Sequence, residues 1–138
     1  AFGVVAMILV GRHSDRTGER RWHYCAAAST GALGLALAVV FQHNTMAAMF
    51  ALTLASMGLQ SMAPIFWSMP TGMLGGVAAA AGIALINSIG NLAGFFSPYL
   101  VGWIKTNTGT TASAMYIIAG FVLMAGLVVV AFVRTGKR

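Results

Sequence analysis

The 83 residues from Trp22 to Ile104 contain no Asp, Glu, Lys or Arg. A water-soluble surface could hardly be assembled from such a stretch, because charged side chains are the ones that folded chains leave outside. Only 7% of the 138 residues are charged and 59% are hydrophobic, against roughly a quarter charged in an ordinary soluble domain. The solvent that remains is the hydrocarbon of a bilayer. There a spanning helix needs about 20 apolar residues, since each adds about 1.5 Å across a core about 30 Å thick.

Four charge-free stretches meet that length: 23–41, 46–69, 77–104 and 111–133. Turn-forming runs separate them, namely Gln42-His43-Asn44-Thr45, Pro70-Thr71-Gly72 and Thr106-Asn107-Thr108-Gly109. The chain opens on an apolar run, 1–11, with no initiator Met and no basic segment ahead of it. That run reads as the second half of a further helix cut by truncation rather than as a signal peptide. Segment 12–22 then reads as a charged loop and 134–138 as a tail. The fold class expected is an all-α membrane protein.

The net charge of +6 does not point to nucleic acid, because the basic residues sit in three places: Arg12 to Arg21, Lys105, and Arg134 to Arg138. A nucleic-acid footprint needs a basic face interleaved with aromatics on a soluble fold. If the spans alternate sides, one side receives seven Lys/Arg from 12–22 and the tail, and the other receives Lys105 alone. This bias puts the Arg-rich loop and the C-terminus in the cytoplasm of a multi-pass protein of the cell's inner (plasma) membrane. Trp22, Tyr24, Trp67, Trp103 and Tyr116 lie near span ends, where amphipathic rings settle at the headgroups.

Within the spans, small residues such as Gly31, Gly34, Gly82 and the pair Gly90/Gly94 allow the close helix approach that packing in lipid relies on. Pro64 and Pro98 each remove an amide and permit a kink. The nine methionines supply flexible packing. The lone Cys25 has no CxxC or Cys/His cluster beside it, so redox and zinc chemistry find no support there.

The sequence Gly11-Arg-His-Ser-Asp-Arg-Thr-Gly-Glu-Arg-Arg21 is a short charged turn bracketed by glycines between two apolar segments. Gly11 and Gly18 allow tight backbone geometry, Asp15 can meet a helix N-terminus or an arginine, and Arg16, Arg20 and Arg21 can face anionic headgroups. It resembles the cytoplasmic motif of the major facilitator superfamily, G-x-x-[AS]-D-R-x-G-x-[RK]-[RK]. Gly11, Ser14, Asp15, Arg16, Gly18, Arg20 and Arg21 occupy motif positions, and His13 stands where the family often has an apolar residue. The resemblance implies a charge latch that closes the cytoplasmic side; topology alone would also account for a basic loop.

A second segment, Phe66-Trp-Ser-Met-Pro through Ala78-Ala-Ala-Ala-Gly-Ile-Ala-Leu-Ile-Asn-Ser-Ile-Gly-Asn-Leu-Ala-Gly94 and Ser97-Pro-Tyr-Leu-Val-Gly-Trp103, is similar to helices ten and eleven of the anion:cation symporters. Members of that family take up tartrate, phthalate, hexuronate and related organic anions with protons. The resemblance implies that 1–11 ends the eighth helix and that the four spans are the ninth to twelfth, within the C-terminal six-helix bundle. It also implies that a missing N-terminal half of the same transporter is the partner completing a central cavity, with the bilayer around both.

Asn87 and Asn91 stand four residues apart and so share one helix face, with Ser88 off it. A buried amide without a partner costs a few kcal/mol, roughly, so both call for a neighbouring helix or a polar cavity. In the family an asparagine of the eleventh helix reaches the substrate carboxylate, and Asn87 matches it best; an amide can donate to an anion without adding charge. Gln60, Ser61 and Trp67 are further candidates for substrate contact, although Trp67 also suits an interfacial anchor and Gln60 and Ser61 also suit helix bonding. His23 and His43 lie at span ends, where a structural role is the simpler reading.

No Asp, Glu, Lys or Arg lies inside the four spans; Asp15 and Glu19 are the acids, both in 12–22. Anion capture and proton coupling usually need intramembrane charges, so the missing half would supply them. The expected function is a fragment of a secondary active transporter, with the proton as coupling ion and no other cofactor. The competing class is a stand-alone structural or assembly membrane protein; a channel lacks a filter signal. No P-loop, GxSxG or HExxH is present, so enzyme activity is not expected. If lipid is the solvent, the chain stays in the membrane pellet through an alkaline carbonate wash; its release into the supernatant would contradict this reading.

Overall fold

The computed structural model describes residues 2–73 and 76–133 of the chain. They form five helices: α1 (Phe2–Thr17), α2 (Arg20–Val40), α3 (Thr45–Met73), α4 (Gly76–Thr108) and α5 (Ala112–Phe132). Helices α2 to α5 are each long and apolar enough to cross a membrane. In hydrocarbon a helix is the natural choice for a single segment, because it satisfies its own backbone amides and carbonyls where water cannot.

Helix ends are set by local chemistry. Gly18 adopts a positive φ of 70° and donates its amide to the Ser14 carbonyl at 3.0 Å, a left-handed cap that glycine reaches without strain. Gly109 closes α4 in the same way, with φ 72° and its amide 2.9 Å from the Lys105 carbonyl. Asn44 starts α3 by accepting the Ala47 amide on its side-chain oxygen at 3.2 Å, the usual role of an N-cap.

Three boundaries differ from the sequence reading, one of them because α4 runs on through Thr106-Asn107-Thr108 and breaks only at Gly109. The segment 12–22 is helical apart from Gly18 and Glu19, because loss of hydropathy marks the edge of the membrane and not the end of a helix. Helix α3 likewise continues through Pro70 to Met73, because in a membrane helix the amide that proline removes can be offset by neighbouring groups and local adjustment. The tail 134–138 lies outside the described residues.

The chain divides into two compact units. One holds α1, α2, α3 as far as Phe66, and α5 from Met115. Its centre is the contact of α2 with α3, where Ala27, Ala28, Ala32, Ala51, Ala55 and Ile65 are buried. A Cβ at Gly34 would overlap the backbone of Ala55, and one at Gly58 would overlap the backbone of Gly31. Helix α5 joins at Gly126, where an added Cβ would come 2.9 Å from the Ala28 methyl. Helix α1 approaches α3, with Gly3 against the Gln60 side chain and Gly11 beside Pro64.

The other unit runs from Trp67 to Ala114 and consists mainly of α4. Ile104 and Ala114 are buried at the hairpin between α4 and α5. There Thr108 donates its hydroxyl to the Ile104 carbonyl at 2.8 Å and lies 3.1 Å from the Thr110 carbonyl. Along α4 only Ile104 is buried.

The glycines of the α2/α3 contact yield a graded expectation. Gly34→Ala or Gly58→Ala must push backbone from backbone, an overpacking cost of about 1–3 kcal/mol. Gly11→Ala meets Pro64 carbons at 3.8 and 3.9 Å, an ordinary contact, and gains helix propensity worth about 0.5–1 kcal/mol. Unfolding by SDS titration should therefore separate the two classes, with Gly34→Ala and Gly58→Ala destabilised and Gly11→Ala neutral or stabilised.

Candidate functional site

Two places gather the residues singled out in the sequence. The first is the hairpin between α1 and α2. Gly11, Asp15 and Arg16 ride the last turns of α1, Gly18 makes the turn, and Arg20 and Arg21 open α2. Arg20 reaches back across the turn to Asp15, its Nη2 3.7 Å from the carboxylate Oδ1. Arg21 stands 5.6 Å over the Trp22 ring, within the range of a cation–π contact. Ser14 is buried, and its hydroxyl has no hydrogen-bond partner among the described residues.

The second place is α4. Asn87 and Asn91 are exposed on it, and among the described residues neither amide meets a hydrogen-bonding side chain. Ser88 donates its hydroxyl to the Ala84 carbonyl at 2.9 Å. Pro98, inside the helix, has no N–H to offer the carbonyl four residues back, that of Gly94. At about 100° per residue, positions 87, 91 and 94 fall within about 60° of arc. Two amides and one released carbonyl thus form a polar stripe on an otherwise apolar helix. The sequence reading passed over the Gly94 carbonyl; its signal was the four-residue spacing to Pro98.

The remaining candidates lie on α3. Gln60 donates its side-chain amide to the Ser56 hydroxyl at 2.7 Å and lies over Gly3. Ser61 is buried and donates to the Met57 carbonyl at 2.7 Å. Although adjacent in α3, Gln60 is exposed and Ser61 is not, so they share no face. Trp67 is half-buried. Among the described residues no group of three or more His, Cys, Asp or Glu is arranged to hold a metal ion.

A protein of Agrobacterium vitis named for tartrate transport is 48% identical over 137 residues, which is 99% of this chain and 31% of that relative. The chain belongs to the major facilitator superfamily. The metabolite transport protein NicT of Pseudomonas putida is 34% identical over 93% of the chain and 29% of its own length. The inner membrane transport protein RhmT of Escherichia coli is 34% identical over 88% of the chain and 28% of its own length. The chain thus spans about 30% of the length of these transporters and matches their C-terminal part. No protein-family model matches it, and no solved structure does.

Its four apolar helices and the transporters it aligns with make the chain an integral multi-pass membrane protein, and those relatives are carriers rather than enzymes. The Asp15–Arg20 pair lies in the motif hairpin with the two side chains 66% and 33% exposed. Exposed pairs of this kind contribute about 0–1 kcal/mol. Asp15→Asn should therefore shift the unfolding free energy by less than about 1 kcal/mol; a larger loss in the SDS titration would mean that the hairpin is held by this pair.

Proposed function

We propose that the chain forms part of the C-terminal helical bundle of a proton-coupled transporter that takes up a small organic anion by alternating access. The observation that carries the reading is the polar stripe of α4. Amides at Asn87 and Asn91 are costly against lipid, by a few kcal/mol each, roughly, unless they face polar groups. A water-filled cavity at the midplane meets that requirement, and it is where carriers of this architecture bind substrate. Asn87 is the residue we assign to the substrate carboxylate, with Asn91 one turn further along. Gln60, Ser61 and Trp67 then serve mainly to hold α3.

An amide donor binds a carboxylate but does not neutralise it. The cation that captures the anion, and the acid that carries the proton, come in this reading from parts of the transporter outside residues 1–138, because Asp15 and Glu19 are the chain's acids and both stand at the hairpin. The seven-to-one distribution of Lys and Arg supports placing that hairpin and the C-terminus in the cytoplasm, across the inner membrane. There the Arg-rich motif acts as the latch of the cytoplasmic gate. The relatives named for tartrate support an organic acid as substrate.

The test is uptake by the complete transporter, with sugar acids, dicarboxylates and aromatic acids as competitors. A hydrogen bond to a charged group is worth about 1.5–3 kcal/mol, so Asn87→Ala should raise KM for the best substrate at least about tenfold. Asn87→Asp should abolish uptake by setting two anions against each other. An unchanged KM in Asn87→Ala would remove Asn87 from the site, and accumulation of substrate by residues 1–138 alone in proteoliposomes would overturn the shared-cavity reading.

A further inference from the structure

The hairpin carries a feature that the charge latch does not use. His13, near the end of α1, and His23, in the first turn of α2, face each other with ring centroids 5.1 Å apart and planes inclined by 60°. The inclination excludes parallel stacking. It brings the rings together across the Gly18 turn, which the Asp15–Arg20 pair also spans.

The tautomer of His23 follows from its neighbour. Its Nδ1 lies 2.8 Å from the Glu19 carbonyl oxygen. A carbonyl only accepts, so Nδ1 carries a proton and donates it, and in the neutral ring Nε2 keeps its lone pair. Metal-binding histidines are commonly prepared in this way, with one ring nitrogen anchored to a backbone carbonyl and the other left as ligand. Zinc–nitrogen bonds of about 2.0–2.1 Å with a near-tetrahedral angle would set two imidazole centroids about 5 Å apart.

We propose that His13 and His23 form a two-histidine site for a borderline divalent transition-metal ion of the zinc class, bridging α1 and α2 across the Gly18 turn. Imidazole nitrogen suits such ions better than it suits magnesium or calcium. No third His, Cys, Asp or Glu completes the set among the described residues, so water fills the remaining positions. Arg12, Arg16, Arg20 and Arg21 outnumber Asp15 and Glu19 on the hairpin and oppose a cation. Both facts make the site a reversible one. Bound metal ties the two helices together at the point where Gly18 would let them hinge, so occupancy stiffens the hairpin.

Zn2+ titration of the complete transporter in detergent tests this by calorimetry, comparing wild type with His13→Ala and His23→Ala. Either substitution should weaken one binding event at least about tenfold, the scale on which even an outer-shell partner matters. His13→Gln, which keeps side-chain bulk, should do the same. A measurement without variants runs beside it: Zn2+ should protect both His13 and His23 of the wild type from diethyl pyrocarbonate, read by peptide mass. Equal modification with and without Zn2+, or unchanged titrations in the variants, would reduce the pair to a plain ring contact and overturn the proposal. The readouts are independent of uptake, so they stand or fall apart from the assignment of Asn87.

Discussion

Backbone-to-backbone contact between α2 and α3 is the interaction on which the rest of the first unit depends. Hydrocarbon gives two apolar helices no reason to exclude solvent from between them, so association must come from close packing. Gly34 and Gly58 provide it, since neither position has room for a methyl group. Once the two helices lie this near, Ala27, Ala51 and Ala55 are buried as a consequence. Helix α5 can then seat Gly126 against Ala28, and α1 can lay Gly3 under Gln60. Small residues here do the job that leucines do in water.

The second unit is built on the opposite plan. Helix α4 runs 33 residues and buries only Ile104, and an added Cβ at Gly90, Gly94 or Gly102 would meet nothing within 4 Å. The asymmetry between the two units agrees with a chain that spans about 30% of the length of its relatives. The charged hairpin lies on the first unit and the amide stripe on the second.

Much of this was legible in the sequence, because hydropathy and charge report directly on the solvent. The uncharged interval from Trp22 to Ile104 was enough to reveal lipid, and the turn formers at 42–44 fall in the break between α2 and α3, whereas of 106–109 only Gly109 leaves the helix. Helix ends were less legible where membrane edge and helix end part company. Arg12 to Thr17 are polar and yet helical, and Pro70 reads as a break although α3 continues beyond it. Side-chain partners were legible only in kind. Helix bonding was open to both Gln60 and Ser61, but the letters do not say that one bonds the Ser56 hydroxyl and the other the Met57 carbonyl, because that depends on which face each presents. Asn87 and Asn91 were readable as a pair from spacing alone, whereas the Gly94 carbonyl required thinking about what Pro98 takes away.

Ser14 has one more implication. Its hydroxyl is enclosed without an acceptor or donor among the described residues, a state that costs about 1–3 kcal/mol for a polar group. The enclosure therefore selects for small size first and penalises the hydroxyl without excluding it. An alanine methyl occupies nearly the same volume with no desolvation to offset, which gives a physical reason for a motif that admits either of the two smallest chiral side chains at this place and nothing bulkier.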